Sequence, residues 1–231
     1  MPKTGATRPD APAATHGQPD ADLIPSLLGA SDVLGTGWFG AAAADVKPGK
    51  TVAVVGDGAV GLMAVLAARQ LGAERIIAMR RHEPRQKLAL EFGAPDIVTE
   101  RGEEGVARIK DMTGGYGAHS VIEAVGTQES MMQAIRSTRP GGHVGYVGVA
   151  HGVQLPGEEL FYAEVHMLGG PAPVRRFVPD LIRLIEDRVT DQGKVFDLTL
   201  PLDLAAGPGV QPGVPRTPAV RARASESISL V

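Results

Sequence analysis

The segment TVAVVGDGAVGLMAVLAARQLGA, residues 51–73, decides how the chain is read. An apolar run, Val52 to Val55, ends in Gly56-Asp57-Gly58-Ala59-Val60-Gly61, and apolar residues at helical spacing follow at once. In a chain with 30 glycines a lone G-x-G-x-x-G spacing carries little weight. Its context gives it weight, because it leaves a strand and opens a helix, as a phosphate cradle requires. Gly56 is expected to make the tight turn, Gly58 to let backbone approach a pyrophosphate, and Gly61 to let the helix pack onto the strand. Ala59 and Val60 lie in the first helical turn, whose free N–H groups and dipole would face the anion. The competing reading is a tight strand-to-helix turn with no ligand.

Outward from this segment, short apolar runs alternate with helical patterns. Strand 51–55 leads to helix 59–71, strand 75–79 to helix 84–92, strand 96–99 to helix 103–113, and strand 119–124 to helix 127–138. Pro140-Gly141-Gly142 reads as a turn into strand 143–149, and an apolar stretch at 163–168 precedes helix 173–187. This alternation is the pattern of a parallel sheet, and right-handed crossovers make it doubly wound. The expected fold class is α/β, with a Rossmann dinucleotide-binding unit over residues 23–203 that opens on a linker helix. Ser31-Asp32 can cap that helix, which runs through Trp38 to Ala44. Residues 1–22 are expected to form a disordered or extended arm. Residues 204–231 include GPGVQPGVPRTP, which sustains neither a helix nor a central strand, and are expected to be largely irregular.

Composition narrows the function classes. The net charge of −3 over 231 residues offers no basic excess, so nucleic acid is not an expected partner. Without cysteine the chain can form neither disulfides nor thiolate metal sites. The N-terminal residues lack the apolar core of a secretory signal, and no apolar run is long enough for a membrane span. A soluble cytoplasmic protein is expected.

The end of the second strand speaks to the cofactor. About twenty residues past the glycines, a cofactor with a free ribose 2′-OH would meet Asp or Glu. Here the sequence is Ala78-Met79-Arg80-Arg81-His82, and Arg80 stands at the acid position. An arginine pairs with a 2′-phosphate through two N–H groups, and Arg81, His82 and Arg85 add positive potential. NADP is therefore expected over NAD, and Glu83, just past the strand end, leaves NAD open. Other Rossmann classes fit poorly. None of Tyr116, Tyr146 and Tyr162 has a lysine four residues later, as short-chain reductases require. Arg80 also stands where methyltransferases use an acid.

With these residues in hand, the chain resembles the zinc-type medium-chain alcohol dehydrogenases over about residues 17–203. SDVLGTGWFGA, KPGKTVAVVGDGAVGLMAVLAARQLGAERIIA, VIEAVGT, RPGGHVGYVGV and GGPAPVRRFVPDLI fall in that family's order and spacing. The resemblance implies that Val125, Gly126, Val147, Gly148 and Val149 lie beside the cofactor and that Thr36 lies under the nicotinamide. It matches Asp32 to the third catalytic zinc ligand. The family's N-terminal catalytic domain, with two other zinc ligands and a cysteine lobe, is expected to be missing. Asp32 alone is not expected to hold zinc, since a catalytic site takes three protein ligands, and a helix N-cap is its competing role. His82, His119, His143 and His166 show no ligand spacing.

The implied activity is NADP-dependent alcohol oxidation or carbonyl reduction on a small substrate. The competing functions are a non-enzymatic NADP(H)-binding or interaction protein and a zinc-free quinone-type reductase. Loss of the neighbouring domain would expose apolar surface around Leu27, Leu28, Leu34, Trp38 and the strand after Val195. The resemblance implies that the edge strand near 163–168 pairs between subunits, and its unpaired backbone groups would invite another chain, so a homo-oligomer is expected.

Overall fold

The computed structural model describes residues 18–201 and 219–223. Most of the expected N-terminal arm and most of the expected irregular tail lie outside the described residues. Six strands form one parallel sheet: β1 (Thr51–Val55), β2 (Arg75–Met79), β3 (Asp96–Val98), β4 (Ala118–Glu123), β5 (Thr138–Tyr146) and β6 (His166–Gly169). Their order is β3-β2-β1-β4-β5-β6, so the chain reverses direction across the sheet between β1 and β4. The helices are α1 (Ile24–Ala30), α2 (Val33–Ala43), α3 (Ala59–Gln70), α4 (Glu83–Phe92), α5 (Gly102–Met112), α6 (Gln128–Ser137), α7 (Gly157–Ala163) and α8 (Val174–Glu186). The expected doubly wound α/β fold is what the chain adopts.

The strands read as continuous apolar runs because both sheet faces are covered. Successive side chains point to opposite faces. Val52 and Val54 of β1 and Ile76 and Ala78 of β2 join one core with α3, α4 and α8. Ala53, Val55, Ile77 and Met79 join the other, with Ile109 of α5 and Met131 and Ile135 of α6. Helix α6 starts where Thr127 and Ser130 form a capping box, each side chain accepting the other's backbone N–H.

Several boundaries differ from the sequence reading. β5 starts at Thr138 rather than 143, because Pro140-Gly141-Gly142 forms an irregularity within the strand: Ala118 pairs with Thr138, and Ser120 already pairs with His143. Its sheet pairing ends at Tyr146, and residues 147–149 leave the sheet. The edge strand is His166–Gly169, and α7, which the sequence did not signal, precedes it. Ala219–Arg223, read as irregular, forms a strand (β8) that pairs in parallel with β7 (Phe196–Pro201). A five-residue strand has little periodicity of its own, and the ladder of its neighbour defines it. Leu34, expected on a bared face, is fully buried, and Leu27 and Trp38 pack against the same core. Helix α8 folds back over α2 and supplies Leu181 and Ile185 to that core. Leu28 does remain exposed.

His119 ties three strands together at the N-terminal end of the sheet. Its Nδ1 accepts the Thr51 N–H at 3.0 Å, and its Nε2 lies 2.6 Å from Arg139 Nη1. Both neighbours are donors, so a protonated ring would have no acceptor to meet. Burial lowers its pKa from 6.5, Arg139 and Lys50 lower it further, and Glu74 opposes them. A depressed folded-state pKa contributes stability above the unfolded value that is lost as pH falls. The denaturation midpoint is therefore expected to drop between about pH 7.5 and about pH 5.5, with a shallower drop in His119→Gln. Equal slopes in urea titrations of the two chains would refute this origin.

Candidate cofactor site

The C-terminal ends of β1, β2 and β4 meet at the point where the strand order reverses, the usual crevice for ligands in open α/β sheets. A cavity of about 150 Å³ opens there, lined in part by Gly56, Met79, Arg80, Arg101, Val125 and Gln133. The glycine turn forms one wall. A β-carbon on Gly61 would stand 2.4 Å from the Gly56 carbonyl oxygen, so α3 can begin this close to β1 only without one. A β-carbon on Gly58 would meet nothing within 4 Å, which leaves open space above the turn. Gly58 is the N-cap of α3 and no side chain caps that end, so the N–H groups of its first turn, at Ala59 and Val60, can serve an anion. These observations fit a dinucleotide pyrophosphate.

The β2 end is built differently from the sequence expectation. Arg80 stands where the spacing placed it, but its side chain is buried, lies close to Gly61 and is not presented to solvent. None of its three guanidinium nitrogens has a hydrogen-bond partner, and the nearest carboxylate oxygen, Asp57 Oδ1, is 3.9 Å away. Burial pushes its pKa down to about 10; Asp57 opposes this and Arg85 adds to it. Arg80 therefore remains a cation at neutral pH. The groups that reach the surface are Arg81, His82 and, from the loop after β3, Arg101. Arg85 is half-buried and its Nη1 donates to the Asp57 carbonyl at 2.8 Å. Arg101 had no sequence signal, because only the β2–β3 pairing brings it beside the glycine turn.

Glu123 was also missed, although a single acid at the end of an apolar strand could have marked it. It is fully buried. Its Oε1 accepts from the Val125 and Gly126 N–H groups, each at 2.8 Å, and from Ser130 Oγ at 2.7 Å. Its backbone carbonyl accepts the Val147 N–H at 2.8 Å. One residue therefore fixes the loops after both β4 and β5. Those loops touch: a β-carbon on Gly148 would stand 2.2 Å from the Gly126 nitrogen. The predicted Val125, Gly126, Val147, Gly148 and Val149 thus come together, the backbone of Val149 lying against Gly126 while its side chain is exposed.

Asp32 and Thr36 lie at the start of α2, outside the cavity lining. Asp32 occupies the N-cap position, yet its carboxylate takes no helix N–H; Thr36 Oγ1 donates to it at 3.3 Å. Among the described residues no three His, Cys, Asp or Glu side chains gather at metal-binding distance. The donor set around Asp32 among the described residues does not fit a catalytic zinc ion.

The crevice and the glycine turn are those of a Rossmann-type α/β fold. The sequence profile of the zinc-binding dehydrogenase family matches residues 59–187, and the chain belongs to that family. It is 39% identical over 191 residues to a Mycobacterium tuberculosis protein named "Probable zinc-binding alcohol dehydrogenase", covering 81% of this chain and 48% of that one. It is 36% identical over 172 residues to an NADP-dependent isopropanol dehydrogenase of Entamoeba histolytica, covering 72% and 47%. An alcohol dehydrogenase from Thermus sp. ATN1 superimposes with a TM-score of 0.72 at 31% identity, over 78% of this chain and 53% of that one. The chain spans about half the length of the curated relatives it matches. No helix among the described residues is long and apolar enough to cross a membrane.

Glu123→Ala would strip three donors of their acceptor inside the protein. Equilibrium denaturation is expected to show a loss of about 2–4 kcal/mol, with Glu123→Gln losing less because an acceptor oxygen remains. Equal stability of Glu123→Ala and the parent chain would show that the loops hold without this carboxylate.

Proposed function

We propose that this chain forms the cofactor-binding part of an NADP(H)-dependent oxidoreductase that interconverts small alcohols and carbonyl compounds. One observation carries the cofactor choice: Arg101 lines the crevice, Arg101 and His82 both lie within 4 Å of Asp57, the exposed Arg81 gives its backbone N–H to the same carboxylate, the buried Arg80 cation stands beside them, and the β2 end holds no acid at position 80. The turn from Gly56 to Gly61 and the first N–H groups of α3 would hold the pyrophosphate. Arg81 and Arg101 would meet the 2′-phosphate, and the loops fixed by Glu123 would flank the nicotinamide half. When bound, the nicotinamide supplies hydride transfer. The alcohol or carbonyl reading rests on the family and on relatives such as the isopropanol dehydrogenase.

NADPH is expected to bind about tenfold more tightly than NADH, as a charge-assisted phosphate contact would give. Arg81→Ala and Arg101→Ala should each erode that difference and leave NADH affinity nearly unchanged. Fluorescence titrations check this; equal affinities for the two cofactors in the parent chain would sink the NADP assignment.

A second copy of the chain is the proposed partner of the β6 edge. Among the described residues β6 pairs only with β5, and no strand of theirs lies on its other side. Leu168 on it is exposed, as are Phe161 and Tyr162 on the neighbouring α7. Unpaired edges and apolar patches both favour association. Sedimentation is expected to show a dimer that Leu168→Lys shifts towards monomer. A monomer at every concentration would remove this proposal.

A further inference from the structure

Asp57 is the one acid inside the glycine turn, and it stands among the groups assigned above to a phosphate. Its side chain is only 11% exposed. Oδ2 accepts the Arg81 N–H at 3.2 Å and lies 3.5 Å from Arg101 Nη2 and 3.9 Å from His82 Nε2. Oδ1 has no hydrogen-bond partner and faces Arg80 Nη1 at 3.9 Å. One carboxylate thus gathers groups from the β1, β2 and β3 ends.

The fit is poor for a carboxylate. Charge-assisted N–H···O bonds run at about 2.7–2.9 Å. Here every charged contact is longer, one carboxylate oxygen is unpartnered, and so is the whole buried Arg80 guanidinium. Such groups cost stability when buried unpaired, so the arrangement persists only because the backbone fixes it. A phosphate monoester brings three acceptor oxygens and about two negative charges to the same donors.

We propose that Asp57 occupies an anion site in the free chain and competes with the cofactor's 2′-phosphate, so that this residue sets how strongly NADP(H) is preferred over NAD(H). The inference rests on the reading of this crevice as a site for NADP(H). Binding of the 2′-phosphorylated cofactor requires Arg101 and the Arg81 N–H to turn from Asp57 to the phosphate, against the charge of the carboxylate that remains nearby. A cofactor with a free 2′-OH does not meet this competition. Asp57 therefore acts on specificity by opposing one cofactor, a repulsive element built into the turn.

Asp57→Asn keeps the size of the side chain and an acceptor oxygen for the Arg81 N–H, and removes the charge. In the full chain it is expected to tighten NADPH and 2′,5′-ADP by about tenfold, with NADH and 5′-AMP within about twofold of the parent. The free variant should melt lower, because Arg80 loses its nearest counter-charge, and 2′,5′-ADP should raise its melting temperature more than that of the parent. Should Asp57→Asn fail to fold, the same gain is read between Arg80→Met and the Asp57→Asn/Arg80→Met pair, in which the buried cation is gone. Unchanged or weaker NADPH binding in these comparisons overturns the proposal. So does a loss confined to NADH, which would make Asp57 an acceptor for the ribose hydroxyl. If no chain binds either nucleotide, yet inorganic phosphate stabilises Asp57→Asn more than the parent, the anion site stands and the cofactor reading falls. If the parent prefers NADPH and Asp57→Asn changes nothing, the cofactor reading stands and the role of Asp57 falls.

Discussion

The contact between Gly61 and the carbonyl of Gly56 sets the geometry of everything above the sheet. With no β-carbon between them, α3 begins directly over the C-terminal end of β1. The residues from Gly61 to Ala68 are then buried in one continuous stretch. Helix α2 crosses α3 with similar closeness, since a β-carbon on Gly37 would stand 2.6 Å from the Ala64 nitrogen. A displacement of α3 would therefore be transmitted to α2 and to the crevice together, because close-packed elements move against one another rather than compress. The uncapped N-terminus of α3 takes its position from the same contact.

Two buried charges border the crevice, and they are satisfied in opposite ways. Glu123 is surrounded by donors: two backbone N–H groups and a serine hydroxyl converge on one of its oxygens. It serves as a brace through that one oxygen, which orders the backbone that supplies its donors, while Oε2 has no hydrogen-bond partner. Arg80 has a carboxylate nearby but no hydrogen bond. Burial without a bonded partner depresses its pKa, yet at about 10 it still bears its charge at neutral pH. The first arrangement fixes loop geometry, and the second leaves positive potential under a surface that already carries Arg81 and Arg101. The same small region thus combines a rigid backbone with an unsatisfied field, which suits a site for an anion.

Membership of the zinc-binding dehydrogenase family and the geometry around Asp32 bear on different parts of the chemistry. The residues matched by the family profile, 59–187, run from the start of α3 to just past α8 and include most of the crevice lining, though not Val55 and Gly56. Asp32 lies before them, at the start of α2, and engages Thr36 instead of a helix N–H or a cluster of ligands. What this chain's described residues supply is the crevice at the strand-order reversal, the site proposed here for a nucleotide cofactor. Its helical neighbours α1, α2 and α8 are packed onto the same core, so Leu34 is covered by the chain itself.

The fold was legible because its signals are local. Both faces of β1 and β2 are buried, so each strand is an unbroken apolar run, and the glycines of residues 56–61 mark the turn that follows. The segment breaks between strands and helices come from turn residues that act within a few positions. The position of Arg80 could be read from spacing for the same reason. The direction of its side chain could not, because that depends on the space beneath Gly61 and on Asp57, which lies 23 residues earlier in the chain. Arg101 and Glu123 entered the site through strand pairing and loop contact, and β8 exists through its neighbour β7; none of these has a pattern in its own segment. The sequence by itself determined the alternation of elements, the glycine turn between β1 and α3 and the absence of an acid at position 80. Only the tertiary structure decided which charges meet around Asp57, because those charges come from three strand ends that the sheet, and not the chain order, brings side by side.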